Sequence, residues 1–177
     1  SASKAIDEFL SLAYYRQKDL PIVICRFFNT VGPRQVGRYG MVMPRFVHQA
    51  LEGGPITVYG DGQQSRCFCD VGDVTRALEE LATCEEAVGQ VFNIGSDQEI
   101  TIQGLAEKIR DRVDPSVEIK KVSYEDAYAP GFEDIRRRVP DLSKIRRVIG
   151  YEPQYNLDQI IDRVIAHFRE EGVGSSN

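Results

Sequence analysis

Ile22-Val23-Ile24-Cys25-Arg26-Phe27-Phe28, followed at once by Asn29-Thr30-Val31-Gly32-Pro33, is the stretch on which the fold turns. Apart from Arg26 the run is continuously apolar rather than alternating, the pattern of a strand covered on both faces inside a parallel sheet. The turn residues after Phe28 end it. Upstream, Ile6, Phe9, Leu10, Ala13 and Tyr14 recur at helical spacing on one face, and Pro21 lies just past the end of that helix. Helix, buried strand and turn in that order indicate α/β architecture with a parallel sheet.

Working downstream, the pattern predicts a short helix around Pro44 to Leu51, stopped by Gly53-Gly54. Ile56 to Tyr59 and Arg66 to Val71 read as short strands around Gly60-Asp61-Gly62, a hairpin or a pair of neighbours. Asp73 is a candidate cap for a helix to Thr83, Gln90 to Ile94 reads as a strand, and Thr101 caps a helix to about Val113. Val117 to Val122 reads as a strand, and the long segment Ser123 to Pro140 has the length of a functional loop. Asp141 and Gly150 bracket a short helix. In the final helix, Leu157, Ile160, Ile161, Val164, Ile165 and Phe168 form an unbroken apolar stripe between Asn156 as cap and Gly172 as stop. Only two of these strands suit a doubly wound sheet, and no Gly-rich phosphate loop follows either, so the remaining strands of that sheet are expected outside this chain.

With 177 residues, 42% hydrophobic and 28% charged, the composition is that of a globular domain or a piece of one. No apolar run reaches the roughly 20 residues of a membrane span, and the N-terminus lacks signal-peptide features, so a cytoplasmic location is expected. A net charge of -5 argues against nucleic acid as partner. Cys25, Cys67, Cys69 and Cys84 lack paired spacing and lie among apolar residues, as free buried thiols do, and His48 and His167 stand far from them, so no metal is expected.

Four segments carry chemistry and a family resemblance with it. Ser1-Ala2-Ser3-Lys4-Ala5 resembles the end of the Tyr-x-x-x-Lys signature of the extended short-chain dehydrogenases/reductases, the NAD-dependent epimerase/dehydratase family. On a helix that spacing puts tyrosine and lysine on one face, where the ammonium stabilises a phenolate. The tyrosine would fall just before Ser1. Arg26 to Arg34 is similar to the family's strand-and-turn segment, Thr57-Val58-Tyr59-Gly60-Asp61-Gly62-Gln63-Gln64-Ser65-Arg66 to its nucleotide-binding stretch, and Arg138-Val139-Pro140-Asp141 to its late Arg-x-Pro-Asp element. Cys67-Phe68-Cys69-Asp70 departs from the family pattern, with Asp70 where His or Tyr is usual.

The resemblance implies the C-terminal part of an NAD(P)-binding Rossmann-like extended fold plus its smaller α/β substrate-binding domain. Residues 1–35 would hold the last helix and strand of the Rossmann domain and the switch out of it. Residues 36–177 would be mainly the sugar-nucleotide domain, with 72–96 returning a helix and a strand to the Rossmann sheet. It implies NAD as cofactor, touched by Lys4, which is also the catalytic lysine, and by Thr30. It implies a UDP-sugar or other NDP-sugar bound by Asn29, Thr57, Tyr59, Arg66 and Arg138, with Thr57 and Tyr59 along the base and the arginines on the diphosphate. A homodimer through the first helix is implied as well. The parent enzyme would be a UDP-glucose 4-epimerase or UDP-glucuronate decarboxylase working through a 4-keto sugar, and this chain alone inactive. The other reading is a non-catalytic sugar-nucleotide binding or dimerisation module.

Overall fold

The computed structural model describes residues 2–35, 41–123 and 135–173. The chain runs α1 (Ala2–Lys18), β1 (Ile24–Phe27), β2 (Thr30–Val31), α2 (Val42–Leu51), β3 (Ile56–Tyr59), β4 (Ser65–Cys67), β5 (Cys69–Asp70) and α3 (Val71–Thr83). It continues with β6 (Val91–Ile94), β7 (Glu99–Thr101), α4 (Ile102–Val113), β8 (Ile119–Val122), β9 (Arg137–Arg138), α5 (Ser143–Ile149) and α6 (Leu157–Glu170). The greater part of the segment expected to be a functional loop, residues 124–134, lies outside the described residues.

Two hydrophobic clusters organise these elements. In the first, Met43, Phe46, Val47 and Ala50 of α2 meet Ile102, Leu105, Ala106 and Ile109 of α4 and Ile160, Ile161, Val164 and Ile165 of α6, over Ile56 and Val58 of β3. Each helix supplies residues three or four apart, so its apolar stripe is the face that meets the others. Burial of each such large side chain stabilises the fold by about 1.5–3 kcal/mol. Asn156 and Gln159 close a reciprocal capping box at the start of α6, and Thr101 accepts from the Gly104 amide at the start of α4. The second cluster joins Val74, Ala77 and Leu81 of α3 to Phe92 and Ile94 of β6, Ile145 of α5 and the fully buried Tyr151.

Sheet pairing follows the sequence reading in part. β1 and β6 are parallel, with Ile24 opposite Val91 and Phe27 opposite Ile94, as a crossover through a helix requires. β1 is shorter than the apolar run and only half covered, with Phe27 49% exposed, because among the described residues β6 is its only strand neighbour. β3 and the strand after it are neither hairpin nor neighbours. β3 pairs in parallel with β8, whereas β4 pairs antiparallel with β7 and parallel with β9. Residues Arg66 to Val71 form two strands rather than one, β4 and β5, and Val71 already belongs to α3.

The cap of α3 is Asp70, not Asp73. The Asp70 carboxylate accepts from the Gly72 amide at 2.7 Å. Asp73, one turn inside, is buried and turned to the following segment, where it accepts from the Gln154 and Tyr155 amides at 3.0 and 3.2 Å and pairs with Arg76 at 3.0 Å. Arg26, the charge inside the apolar run, reaches back to α1 and forms a two-pronged ion pair with Glu8, its Nε donating at 2.8 Å. Gly89 lies directly under the Tyr15 ring, too close for any side chain. These two contacts fix α1 along the β1 side while Ile6, Phe9, Leu10 and Tyr14 remain more than half exposed.

Candidate functional site: an arginine pair on a three-stranded sheet

The sheet β7-β4-β9 builds the site. Successive side chains of a strand point to opposite faces, and residues in register share a face. Arg66 of β4 is the register partner of Arg138 of β9, so the two guanidinium side chains leave the sheet on the same side. Ser65 and Arg137 are partners on the other side, joined there by Glu99 of β7. Like charges set directly opposite one another oppose strand pairing. Their juxtaposition is favourable when an anion sits between them, and a guanidinium keeps its charge and offers paired donors to two oxygens at once.

Backbone carbonyls hold one of these side chains and an aromatic ring lies beside the other. Arg66 Nη1 donates to the carbonyls of Ser65 and Ile135, each at 2.7 Å. The Arg138 guanidinium stands 5.5 Å from the centre of the Phe28 ring. Phe28 precedes Asn29, whose amide nitrogen donates to the Cys67 carbonyl at 2.7 Å and whose own carbonyl accepts from the Cys69 amide at 3.2 Å. Asn29 has φ 42°, a left-handed conformation that asparagine tolerates, and it brings the carboxyl end of β1 against the β4–β5 junction. Asn29 is thereby held at the end of β4, the strand that carries Arg66, and its neighbour Phe28 lies beside Arg138. One amide hydrogen of Asn29 goes to Cys67, and the amide carries a second.

The other predicted residues lie apart from this group. Lys4, on α1, pairs with Asp7 at 3.1 Å and its side chain is 85% exposed. Thr30 Oγ1, in the turn after β1, is buried with no hydrogen-bond partner among the described residues. Thr57 is turned into α2. Its hydroxyl accepts from Gln49 at 3.1 Å, its amide donates to the same side chain at 3.0 Å, and its carbonyl accepts from Arg45 at 3.1 Å. The Tyr59 ring, expected to lie along a base, has the Arg45 guanidinium 4.2 Å from its centre, at cation–π distance. Arg45 also lines a cleft of about 490 Å³ between α2 and α6, together with Arg34, Gln35, His48, His167 and Phe168.

Arg45 and Glu99 were not among the predicted residues. Neither stands in a local pattern that marks it. Arg45 is one more polar position on an amphipathic helix, and Glu99 opens a strand of three residues. Cys67 and Cys69 are buried thiols, pushed up to about 11 chiefly by burial, and Cys69 Sγ lies 3.4 Å from the Tyr151 hydroxyl, which donates to the Gly95 carbonyl at 2.8 Å. Thiols so protonated are poor nucleophiles. Cys25 and Cys84 are only partly covered, less than the sequence implied. Among the described residues no His, Cys, Asp or Glu cluster is arranged to hold a metal, and no helix is long and apolar enough to cross a membrane.

A parallel strand pair, a three-stranded sheet with two arginines in register and a helix-covered lobe define a mixed α/β fold class. Comparison with known proteins is consistent with that class. Residues 1–164 match the family model for GDP-mannose 4,6 dehydratase. The chain is 40% identical over 169 residues to the UDP-N-acetyl-alpha-D-glucosaminuronate decarboxylase of Bacillus cytotoxicus, covering 94% of this chain and 52% of that protein. It is 36% identical over 172 residues to UDP-glucuronic acid decarboxylase 2 of Arabidopsis thaliana, covering 97% of this chain and 37% of that one. Among solved structures, the UDP-glucose 4-epimerase of Thermotoga maritima superposes with a TM-score of 0.86 at 27% identity, covering 96% of this chain and 53% of the epimerase. The UDP-glucuronic acid 4-epimerase of Bacillus cereus gives 0.82 at 25%, covering 93% and 50%. The chain belongs to the NAD-dependent epimerase/dehydratase family of extended short-chain dehydrogenases/reductases. It spans about half the length of its Bacillus relative and less of the Arabidopsis one.

Proposed function

We propose that the protein carrying this chain acts on a UDP-linked sugar, with a sugar acid preferred, as a decarboxylase or 4-epimerase, and that this chain supplies the grip on the diphosphate. The register pairing of Arg66 with Arg138 carries the reading. Two guanidinium groups on one face offset most of the charge of a diphosphate and match its oxygens in pairs. Asn29 adds an amide donor beside them. The base lies toward Tyr59 and Thr57, with Thr57 contributing shape through the Gln49 contact.

NAD is the cofactor of this reading, and it supplies a hydride acceptor and donor. Lys4 and Thr30 are its contacts from this chain. The orphaned Thr30 hydroxyl is the observation that favours such a contact, because a buried hydroxyl without a partner costs about 1–3 kcal/mol until a ligand satisfies it. In this reading α1, β1, α3 and β6 belong to the dinucleotide-binding sheet and the remaining elements mainly to the sugar-nucleotide domain.

A homodimer forms through α1 in the same proposal. The support is a 17-residue helix with no buried residue and with Phe9 74% and Ile6 56% exposed, an apolar stripe of the kind that a second copy covers.

The test is to supply the complete reading frame with NAD and, separately, UDP-glucuronate, UDP-N-acetylglucosaminuronate and UDP-glucose, following products by proton NMR. Carbon dioxide with a UDP-pentose from a uronate identifies a decarboxylase. Inversion at C4 identifies an epimerase. UDP binding without turnover of any of the three leaves the binding-module reading, and absence of UDP binding overturns the proposal.

A further inference from the structure

β9 is two exposed residues long and yet holds a fixed register against β4. Apolar burial within the strand does not do it. Both residues of β9 are exposed, and Ile135 just before them is 62% exposed. On the downstream side Pro140 and Leu142 are buried and anchor the chain. On the upstream side the hold among the described residues is polar. The Ser65 amide donates to the Arg136 carbonyl at 2.8 Å, and two carboxylates grip the side chains of consecutive arginines.

Glu99 is the centre of one grip. Its two oxygens take the Arg137 fork, Nε at 3.1 Å to each and Nη2 at 3.0 Å to Oε2, while the buried Ser65 hydroxyl donates to Oε1. Asp61 is the centre of the other. Its Oδ2 takes Arg136 Nη1 at 2.6 Å, and its Oδ1 accepts from the Gln63 amide at 2.9 Å, so a turn fixes the carboxylate before the arginine arrives. Both carboxyls are held below their ordinary values, Glu99 first by the Ser65 hydroxyl and then by Arg137, Asp61 first by the Gln63 amide and then by Arg136. Alternation along the strand gives these contacts their consequence. With Arg137 pinned to Glu99 on one face, Arg138 has to emerge on the other, the face that carries Arg66. A slip of one residue would send Arg138 to Glu99 and present Arg137 to the ligand side at a shifted height.

We propose that Glu99 and Asp61 are positioning residues for the diphosphate grip: by seating Arg137 and Arg136 they set the register that holds Arg138 beside Arg66. The inference rests on the reading of Arg66 and Arg138 as the diphosphate site. It goes beyond that reading by assigning ligand affinity to two acidic residues that do not touch the ligand. It also makes that affinity salt-sensitive through the seat as well as through the ligand's own charge, since exposed ion pairs are screened.

The experiment uses the complete protein, with UDP and uridine as calorimetric probes at low and high sodium chloride, and hydrogen exchange at the Ser65 amide. Glu99→Gln and Asp61→Asn each weaken UDP binding about fivefold at low salt, the effect of one well-formed ion pair. Uridine affinity is unchanged, the Ser65 amide exchanges faster, and Glu99→Gln adds nothing further in an Arg138→Met background. Unchanged UDP affinity in both variants overturns the inference. So does equal weakening of UDP and uridine, which marks a general structural defect, and so does full additivity with Arg138→Met. Failure of the unaltered protein to bind UDP overturns the function reading instead, and the Ser65 exchange then decides the seating by itself.

Discussion

Arg66 and Arg138, 72 residues apart in the chain, are register partners on adjacent parallel strands and project from the same face of the sheet. The pairing is unfavourable by itself and becomes favourable with an anion between the two groups. Replacing Arg138 therefore has opposite effects on the free protein and on the complex. Arg138→Met is expected to weaken UDP binding at least tenfold while leaving the melting temperature unchanged or raised. Arg66→Lys is expected to weaken UDP binding as well, because an ammonium lacks the planar fork and loses the donors to the Ser65 and Ile135 carbonyls. Titration of both variants with UDP, beside thermal melts, checks both statements.

Asp70, where the sequence departs from the pattern that the resemblance led one to expect, has a local task in the structure. It caps α3, is fully buried, and its second oxygen lies 3.4 Å from Arg163 Nε on α6, within ion-pair distance though not aligned as a hydrogen bond. Asp70→Ala is expected to lower the unfolding free energy by about 1–2 kcal/mol, the range for a lost helix cap. Asp70→Asn keeps the acceptor and loses the charge, so it falls between. Urea unfolding at constant m-value measures both.

The thiols of Cys67 and Cys69 titrate near 11, against an ordinary value of 9.0. In the native protein at pH 8, iodoacetamide is expected to spare both until the chain unfolds, as read by peptide mass spectrometry. The linked effect on stability has a definite sign. A raised folded value means that the protonated native state is favoured, so this contribution is complete below pH 9 and is lost as the pH climbs toward 11. Cys69→Ser blunts that alkaline loss.

At the acid end the sign reverses. Asp158 at the start of α6 is held below its ordinary 3.8, first by a hydrogen bond from Lys108 and then by the charge of Arg112, both on α4. Its contribution is present above that ordinary value and is lost as the pH falls through the lower folded value. Stability measured by urea between pH 5 and pH 2 is expected to decline less steeply in Asp158→Asn.

The two clusters and α1 respond differently to truncation. Phe46 is completely buried among α2, α4 and α6, and Phe46→Ala is expected to cost about 3–5 kcal/mol. Phe9 is 74% exposed on α1, and Phe9→Glu is expected to change stability of the monomer little while removing, in light scattering, the self-association proposed for this helix.

By itself the sequence determined the helices, because each carries its own signal within a dozen residues. The stripe from Leu157 to Phe168, the caps Asn156 and Thr101, and the stop at Gly150 all need nothing beyond neighbours three or four positions away. It determined the two strands β1 and β6 by their apolar runs, and it marked Arg66 and Arg138 through the motifs around them. Tertiary structure alone decided the partners of the short strands, the transfer of the α3 cap from Asp73 to Asp70, the engagement of Thr57 by Gln49, the covering of Tyr59 by Arg45, and the grips of Glu99 and Asp61 on β9. The reason is one of length. A strand of two or three residues is too short to express a period of two, so its register is set by hydrogen bonds and ion pairs to residues 34 to 75 positions away, as with Ser65 and Glu99 or Asp61 and Arg136, and nothing in the local pattern records where those partners fall.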